Sequence, residues 1–407
     1  MLKRILYSAL FIVIAIILYL NVRLYYQPRW SNSQPPINLS VEAQLNYLQK
    51  RMHDGAALDM QKMYPEGYLF LNALYGLSWC NLLAKTPAQS PLHQRGIEEV
   101  RWALHAIDSP KCKAPFSPNL PLVYGAFYRG WSNYLRGKYL ELLPGMKEDT
   151  VQAQIFQDNC AQIAKAVTES KTPFLESYVY ATWPADMVVL MASLAQHDHL
   201  FMSQYGLLVQ DWLKQVDKRT DQLGFIPHSV HPYTGKVLEA ARGSSQSLIL
   251  NFLIEIDSTY ARRHFARYKK AFLTRRIGLP GIREYPKGTL GFGDVDSGPV
   301  IFGIGGAASI VGQRTMVLYG ETDVAIGLRN SIEAFGLGWH WGKKKRYLFG
   351  ALPIADAFIA WSNSVEASKE ERLVGRRNWR WSFQLGLVVV LVGVGMMWGM
   401  RPRNPVK

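Results

Sequence analysis

The chain has 407 residues, of which 48% are hydrophobic and 12% aromatic, a composition that excludes an intrinsically disordered protein. It provides enough apolar side chains for one large core or two modest ones. The formal net charge is +15 at pH 7, but no zinc-finger, RNP or basic-helix pattern accompanies it, so nucleic acid is not an expected partner.

The N-terminal segment is apolar over residues 5–20 and follows two basic residues. With Val22 and Leu24 it reaches the roughly 20 residues that a bilayer core requires. Because no small-residue cleavage site follows, the segment predicts a retained transmembrane anchor over 1–26. A proline-containing linker over 27–39 then leads into the rest of the chain.

A second apolar run covers residues 382–400, with tryptophans before it and arginines after it. Aromatic and basic residues in these positions are typical of membrane interfaces, so the run predicts a C-terminal transmembrane helix. A basic linker over 365–381 precedes it and a tail over 401–407 follows it. The lipid bilayer is therefore an expected partner, and we expect the bacterial inner membrane as the location, with an extracytoplasmic domain.

Between these ends, residues 40–364 show helical periodicity almost throughout, without the sustained alternation that is typical of strands. We predict that they form one domain. Its predicted helices cover residues 41–52, 66–84, 94–107, 119–136, 150–168, 178–196, 201–217, 244–256, 258–274, 298–319, 323–337 and 350–362.

These predicted helices alternate in character along the chain. Every second one, beginning with 66–84, is apolar nearly all round, whereas the others carry charge on one face. An apolar helix belongs inside a large core and a one-faced helix outside it. The predicted fold is therefore all-α, an (α/α)6 toroid or barrel of six helical hairpins flanked by an N-terminal and a C-terminal transmembrane helix. An irregular helical bundle and an open α-solenoid stay as alternatives.

A closed toroid would bring the starts of its inner helices around one funnel, where a small-molecule or glycan substrate is expected to bind. Polar and aromatic residues precede these helices. The candidate substrate-binding residues are Tyr64, Tyr124, Tyr128, Trp183, His231, Tyr233, Arg242 and Ser244. Other interpretations stay open, because aromatic residues in a helical protein often belong to the core. Arg242 can also form a structural ion pair with Glu284 or Asp294.

Acid–base catalysis requires a proton donor and a proton acceptor whose environments push their pKa values apart. The catalytic candidates near the predicted helix starts are Glu176, Tyr180, Asp186, Glu284, Asp294 and Asp296. Asp186 precedes a long apolar run, where an unpaired charge would be costly. Asp186 therefore either faces the funnel or caps its helix.

The glycine-rich stretch 291–309, GFGDVDSGPVIFGIGGAAS, places Asp294 and Asp296 two residues apart. Pro299 predicts the first position of a helix, with Asp296 or Ser297 as its cap. The glycines that follow reduce helix propensity, so we expect another segment to pack closely against them. An alternative is that Asp296 is only a cap. The absence of a following Gly-Lys-Ser/Thr excludes a phosphate-binding loop of the P-loop type.

No metal or cofactor is predicted. His228 and His231 lack a further ligand at zinc-site spacing, and Cys80, Cys112 and Cys160 have no CxxC spacing. In an exported domain Cys80 and Cys112 could form a disulfide, whereas in a cytosolic domain all three would be buried thiols. The sequence also lacks GxSxG and any arrangement typical of a cysteine nucleophile.

From residue 176 to residue 335, the order of motifs resembles the linalool dehydratase/isomerase family, bacterial enzymes on a six-hairpin α/α barrel. The motifs are SYVYATWPADMVVLMASL, VQDWLKQV, HPYTG, RGSSQSLILNFL, DSTYARRHFARYKKAF, IREYPKG and DVDSG. The same barrel resembles the catalytic domains of many glycoside hydrolases and polysaccharide lyases, so the fold alone does not define the chemistry.

The resemblance implies acid–base hydration, dehydration or isomerisation, here of a small apolar alcohol or alkene. The family carries a cysteine in the barrel mouth, whereas the corresponding loop here contains Pro184 and Ala185 and no cysteine. Proton transfer would therefore depend on Glu176, Tyr180 or Asp186. The alternatives are a glycoside hydrolase or polysaccharide lyase acting on envelope glycans, and a non-catalytic, ligand-binding membrane module.

Overall fold

The computed structural model describes residues 2–276, 278–294, 297–365 and 379–399, and these residues are mostly helical. The helices in chain order are α1 (Leu2–Arg23), α2 (Leu39–His53), α3 (Ala56–Met63), α4 (Gly67–Leu83), α5 (Pro91–Asp108), α6 (Pro110–Lys113), α7 (Gly125–Leu140), α8 (Thr150–Glu169), α9 (Pro184–Leu200), α10 (Gly206–Asp217), α11 (Gly243–Ile256), α12 (Ser258–Phe272), α13 (Gly306–Leu318), α14 (Thr322–Phe335), α15 (Pro353–Asn363) and α16 (Trp379–Gly399). Each of the twelve segments predicted to be helical overlaps one of these helices, although several bounds differ by a few residues.

Short antiparallel hairpins, which the sequence did not predict, connect several helices in the second half of the chain. They are β1 (Ser229–Val230) with β2 (Val237–Glu239), β3 (Leu273–Arg276) with β4 (Leu279–Ile282), β5 (Val300–Ile301) with β6 (Ile304–Gly305), and β7 (Trp339–Trp341) with β8 (Lys344–Arg346). The helix predicted over 298–319 is therefore wrong in its first part. Residues 300–305 form the β5–β6 hairpin, and the helix begins at Gly306.

Six helices form a closed ring. Helices α4, α7, α9, α11, α13 and α15 contact one another in this order, and α15 contacts α4. Each inner helix also packs against an outer one: α4 on α5, α7 on α8, α9 on α10, α11 on α12, α13 on α14 and α15 on α2. The burial follows this arrangement, because α9 is buried without interruption over 184–194 whereas α8 buries only one stripe.

Aromatic side chains fill the centre of the ring. Trp131 and Trp361 are buried there with ring centroids 6.2 Å apart, and Phe252 lies 5.4 Å and 6.1 Å from them. Phe70, in the first turn of α4, packs on Trp131 at 4.8 Å and is only half-buried. These four residues, the aromatic plug, close the lumen below the helix starts. Such ring pairs stabilise a fold by about 0.5–1.5 kcal/mol each beyond their area burial.

Among the described residues, no helix has both the length and the apolarity to cross a membrane. The predicted transmembrane helices at the two ends, and the predicted bacterial inner-membrane location with an extracytoplasmic domain, are therefore wrong. Part of each end is used in contacts within the protein. Leu24, counted toward the first predicted span, is buried with Ala334 and Phe383. Asn21 of α1 accepts a hydrogen bond from Gln384 of α16.

Parts of two other predictions concern residues outside the description. These are 366–378 of the predicted basic linker and the predicted tail over 401–407. The predicted domain boundaries stay predictions. The three cysteines, Cys80, Cys112 and Cys160, are all buried and free, so Cys80 and Cys112 are not paired with each other.

Candidate active site

The six inner helices begin at one end of the ring, which we call the mouth together with the loops that precede them. In the described structure, none of the residues preceding these helices caps its helix through a side-chain hydrogen bond. By contrast, Asn38, Ser90, Asp149 and Asp257 cap the outer helices α2, α5, α8 and α12. The mouth therefore presents helix N-termini whose N–H groups favour anionic or electron-rich groups.

Glu284 lies between the starts of α11 and α13 and is fully buried, with 0% of its surface exposed. Its Oε1 accepts a 2.6 Å hydrogen bond from the Ser244 hydroxyl, and its Oε2 accepts the Ser244 N–H at 3.3 Å. The structure thus brings together a predicted catalytic residue and a predicted binding residue. Burial raises the pKa of Glu284 to about 7, although the hydrogen bonds from Ser244 and the charge of Arg242 act to lower it.

Two glycines allow the backbone and the carboxylate to approach the helix starts this closely. A Cβ at Gly243 would lie 1.8 Å from the Arg283 carbonyl oxygen, and the Gly243 N–H donates to the Glu284 carbonyl at 2.7 Å. A Cβ at Gly305 would lie 2.8 Å from Glu284 Oε2. Close packing against the glycine-rich stretch, which the sequence predicted, is therefore present at Gly305, and the carboxylate of Glu284 is what packs there.

Arg242 connects two acidic residues beside this position. Its Nε donates to Glu239 Oε1 at 2.6 Å, and its Nη1 forms an ion pair with Asp294. One of the interpretations left open by the sequence, an ion pair between Arg242 and Asp294, is thus what the structure shows. Partial burial acts to raise the pKa of Asp294, but the hydrogen bonds from Arg242 and Ser297 lower it to about 2.

His228 and Glu239 belong to the same cluster and were not among the predicted site residues. His228 Nε2 lies 3.8 Å from Glu239 Oε2. Burial, and then the charge of Arg242, lower the pKa of His228 to about 4, so the imidazole is neutral at pH 7. His228 directly precedes β1 and Glu239 ends β2, so the pairing of this hairpin is what brings them together. The sequence carried no period-two signal for strands this short.

We call these six residues, His228, Glu239, Arg242, Ser244, Glu284 and Asp294, the carboxylate cluster. At pH 7 Asp294 is ionised, while Glu284 is present in both its protonated and its ionised form, since its pKa is about 7. No lysine or arginine of the described chain forms an ion pair with Glu284. Two neighbouring carboxyl groups with pKa values pushed in opposite directions are a feature of acid–base sites.

The predicted residues around α9 lie at the mouth but are used differently. Glu176 accepts a 2.8 Å hydrogen bond from the Tyr180 N–H, which holds the loop before α9. Tyr180 is 74% exposed and its ring lies 6.4 Å from that of Tyr233, which in turn lies 5.8 Å from His231. These three rings form an exposed aromatic edge. Asp186 is buried in the first turn of α9, where a carboxylate interacts favourably with the helix dipole.

The remaining predicted binding residues do not join the carboxylate cluster. Trp183 is half-buried at the start of α9, and Tyr64, between α3 and α4, is half-buried against the core. Tyr128 is turned outward, because its hydroxyl donates to the Ile107 carbonyl of α5 at 3.2 Å. Tyr124 packs against Tyr128 with ring centroids 5.3 Å apart. These two tyrosines line a separate cavity, described below. The last predicted carboxylate, Asp296, lies outside the described residues.

Two other kinds of reactive site, a cysteine nucleophile and a metal centre, have weak support in the described structure. Burial raises the pKa of the Cys112 and Cys160 thiols to about 12, and it also raises that of Cys80, so none is a thiolate at neutral pH. Within the described residues, no group of three or more His, Cys, Asp or Glu side chains is placed to hold a metal ion.

No protein-family model matches the chain, and a search of curated proteins finds no significant relative. The chemistry of the carboxylate cluster is therefore inferred from its geometry.

Proposed function

We propose that the protein is an acid–base lyase or hydratase that acts on a small, largely apolar alcohol or alkene. The observation that carries the proposal is the position of Glu284, a buried carboxyl group at the mouth that is hydrogen-bonded by Ser244 and has no basic partner among the described residues. The motif order that resembles the linalool dehydratase/isomerase family favours the same reaction class. In this proposal Glu284 transfers the proton, in place of Glu176, Tyr180 or Asp186, which the resemblance suggested for that role.

Glu284 can serve both halves of a dehydration. As a carboxylic acid it donates a proton to the substrate hydroxyl, the C–O bond breaks with its electron pair, and water leaves. The resulting carboxylate then removes a proton from the adjacent carbon, and the electrons of that C–H bond form the C=C bond. Hydration is the reverse. A pKa of about 7 suits both steps, because both protonation states are populated at neutral pH.

The charges of the cluster suit the positive charge that develops on carbon as the C–O bond breaks. Glu239 and Asp294 contribute two negative charges and Arg242 one positive charge, while His228 is neutral at pH 7. With Glu284 protonated the cluster therefore carries a net charge of about −1, from two negative charges and one positive. Fixed negative charge near a developing cation stabilises the transition state relative to the neutral substrate, and here it offsets the positive potential of the helix N-termini at the mouth.

Apolar residues around the mouth support an apolar substrate. Leu290 and Phe292, on the segment between β4 and β5, are 93% and 94% exposed, and Phe302 in the next turn is also exposed. At the base of the mouth, half-buried Phe70 belongs to the aromatic plug. Small-molecule sites are mostly apolar with a few placed polar groups, which describes this combination of rings and one buried acid.

A glycoside hydrolase is the second candidate. The observation that favours it is the exposed aromatic edge of Tyr180, Tyr233 and His231, since aromatic rings with polar tips can contact both faces and hydroxyls of a sugar. Glycosidases also require two carboxyl groups of different pKa, a role that Glu284 and Asp294 could fill.

The test is a turnover assay of the full chain on a panel of tertiary and allylic alcohols and alkenes, with products measured by gas chromatography. We expect turnover by the parent protein and a loss of about 100-fold or more in Glu284→Gln, the usual scale for removing an acid–base group. The matched control is Glu255→Gln, which changes a glutamate at the opposite end of α11 and should retain activity. An active Glu284→Gln would contradict the proposal. Activity of the parent protein only on aryl glycosides would favour the glycoside hydrolase. Binding without turnover on either set of compounds would favour a non-catalytic module.

A further inference from the structure

A cavity of about 330 Å³ lies outside the ring, between α7 and the outer helices α5, α6 and α8. We call it the basic cavity. The residues that decide its chemistry are Asp108, Lys113, Tyr124, Tyr128, Arg129 and Arg136. It is distinct from the carboxylate cluster, because α7 is separated from α11 in the ring by α9. An inference about the basic cavity therefore does not depend on the proposed function.

One ion pair inside the basic cavity is complete. Arg136 is buried, and its Nη2 donates to both carboxylate oxygens of Asp108, at 2.9 Å and 2.7 Å. Its Nε also donates to Gln152 at 2.7 Å. This pair is neutral overall, so it fixes one wall of the cavity without contributing net charge.

Arg129 differs from Arg136 in its partners. Its guanidinium donates to the Val123 carbonyl at 3.0 Å, to the side-chain oxygen of Asn159, and to Gln162 Oε1 at 2.6 Å. All three acceptors are uncharged, and none of the described carboxylates forms an ion pair with Arg129. These hydrogen bonds hold the guanidinium in place while leaving its charge uncompensated. Burial lowers the pKa of Arg129, as expected for a cation held away from both water and a counter-ion.

Lys113 adds a second positive charge at the same cavity. Its Nζ lies 5.9 Å from the centre of the Tyr124 ring, and no ion pair to it is present in the described structure. Counting Lys113, Arg129 and Arg136 as positive and Asp108 as negative, the lining carries three positive charges and one negative, a net charge of +2.

We propose that the basic cavity binds the dianion of a small phosphate monoester. A monoester phosphate carries a charge of about −1.5 to −2 at pH 7, which matches the lining, whereas a carboxylate would leave one positive charge uncompensated. Arg129 offers the planar, fixed donors that recognise phosphate oxygens, and Lys113 adds a mobile point charge. The volume lies at the lower end of small-molecule sites, about 300–1,000 Å³, so a small phosphorylated metabolite fits and a macromolecule does not.

The experiment is isothermal titration calorimetry of the full chain with inorganic phosphate and with glycerol 3-phosphate, at pH 8 and constant ionic strength. We expect both to bind, acetate not to bind, and Arg129→Gln to weaken phosphate binding at least tenfold. Lys113→Gln should also weaken it, and this half-exposed position keeps the test valid if Arg129→Gln does not fold. The matched control is Lys165→Gln on α8, whose side chain is 74% exposed and outside the cavity.

Phosphate binding that is unchanged in both Arg129→Gln and Lys113→Gln would overturn the proposal. Equal weakening in Lys165→Gln would do the same, because it would show a response to total charge. Acetate binding as tightly as phosphate, or no binding of either phosphate by the parent protein, would also contradict it. None of these results bears on turnover at the carboxylate cluster.

Discussion

The two ends of the ring of inner helices differ in whether their acidic side chains have a basic partner. At the mouth, the two oxygens of Glu284 receive hydrogen bonds only from Ser244 in the described structure. At the opposite end, Lys138 lies 3.1 Å from Glu255 and 3.2 Å from Glu141, and Tyr134 donates to Glu255 at 2.7 Å. Burial acts to lower the pKa of Lys138, but the two glutamates raise it above its ordinary value.

This difference distinguishes a structural charge network at the far end from a candidate functional site at the mouth. The far end places a cation where helix C-termini favour one and gives it two acidic partners, so the charges stabilise the fold. The mouth keeps an acid without a basic partner, an arrangement that costs stability when the acid ionises. Proteins keep such destabilising groups where function requires them. Three substitutions test the comparison.

The largest expected effect is on the pH dependence of stability in Glu284→Gln. The folded-state pKa of Glu284 is about 7 and the ordinary value is 4.5, so the folded state binds this proton more tightly. Its contribution to stability is therefore complete below about pH 4.5 and is lost as the pH rises to about 7, a change of about 3 kcal/mol. The variant should lack this loss, as measured by urea unfolding at pH 4.5 and pH 7.5.

A second buried carboxyl group must be allowed for in that experiment. Burial raises the pKa of Asp356 to about 7 as well, so a pH-dependent loss of stability should persist in both the parent and Glu284→Gln. The prediction concerns the difference between them. An identical pH dependence of the two proteins would mean that Glu284 is not protonated in the folded state at acidic pH, and the comparison of the two ends would fail.

Glu255→Gln should lower the stability of the fold and leave turnover unchanged. It leaves Lys138 with only Glu141 and replaces the charged acceptor of Tyr134 by a neutral one, so we expect a loss of about 1–2 kcal/mol in the free energy of unfolding. Turnover should be unchanged, since these groups lie at the far end of the ring. Urea unfolding and the alcohol assay together check the prediction. Lost activity in a folded variant would show that the two ends are coupled.

The smallest expected effect is a shift in the titration of Glu284 when Arg242 is replaced by Gln. Arg242 acts to lower the pKa of Glu284, so its removal should move the stability change assigned to Glu284 upward by about one pH unit. Glu284→Gln combined with Arg242→Gln is the control, because it should show no such shift. The measurement is urea unfolding across pH 5–9. A shift to lower pH would mean that Arg242 does not act on Glu284 through its charge.

Much of the fold was predictable because ring helices are buried on all sides. The apolar run over 187–194 could only belong to an inner helix, and α9 is one. The hairpin over 300–305 was missed because proline is common at the first position of a helix, which made Pro299 read as a helix start, and because two-residue strands have no detectable period. The terminal apolar runs gave transmembrane predictions that are wrong. An apolar run in the sequence does not show that Leu24 and Phe383 belong to the same buried cluster.

The site was predictable in part for a related reason. Arg242, Ser244, Glu284 and Asp294 were predicted because they lie before or at the starts of helices recognised as inner ones. Glu239 depends on the β1–β2 pairing and gave no signal. Tyr124 and Tyr128 were assigned to the funnel although they face outward. The predicted helix began at residue 119, whereas the observed one begins at Gly125. The side of the helix on which each tyrosine lies could therefore not be predicted.

The aromatic plug makes the mouth a dead end and not a tunnel. The rings of Trp131, Trp361 and Phe252 pack on one another across the lumen, so under the proposed function a molecule that enters by the mouth would have to leave by the same opening. A hydration would then draw both its organic reactant and its water through one opening, and the product would have to clear that opening before the next reactant could enter.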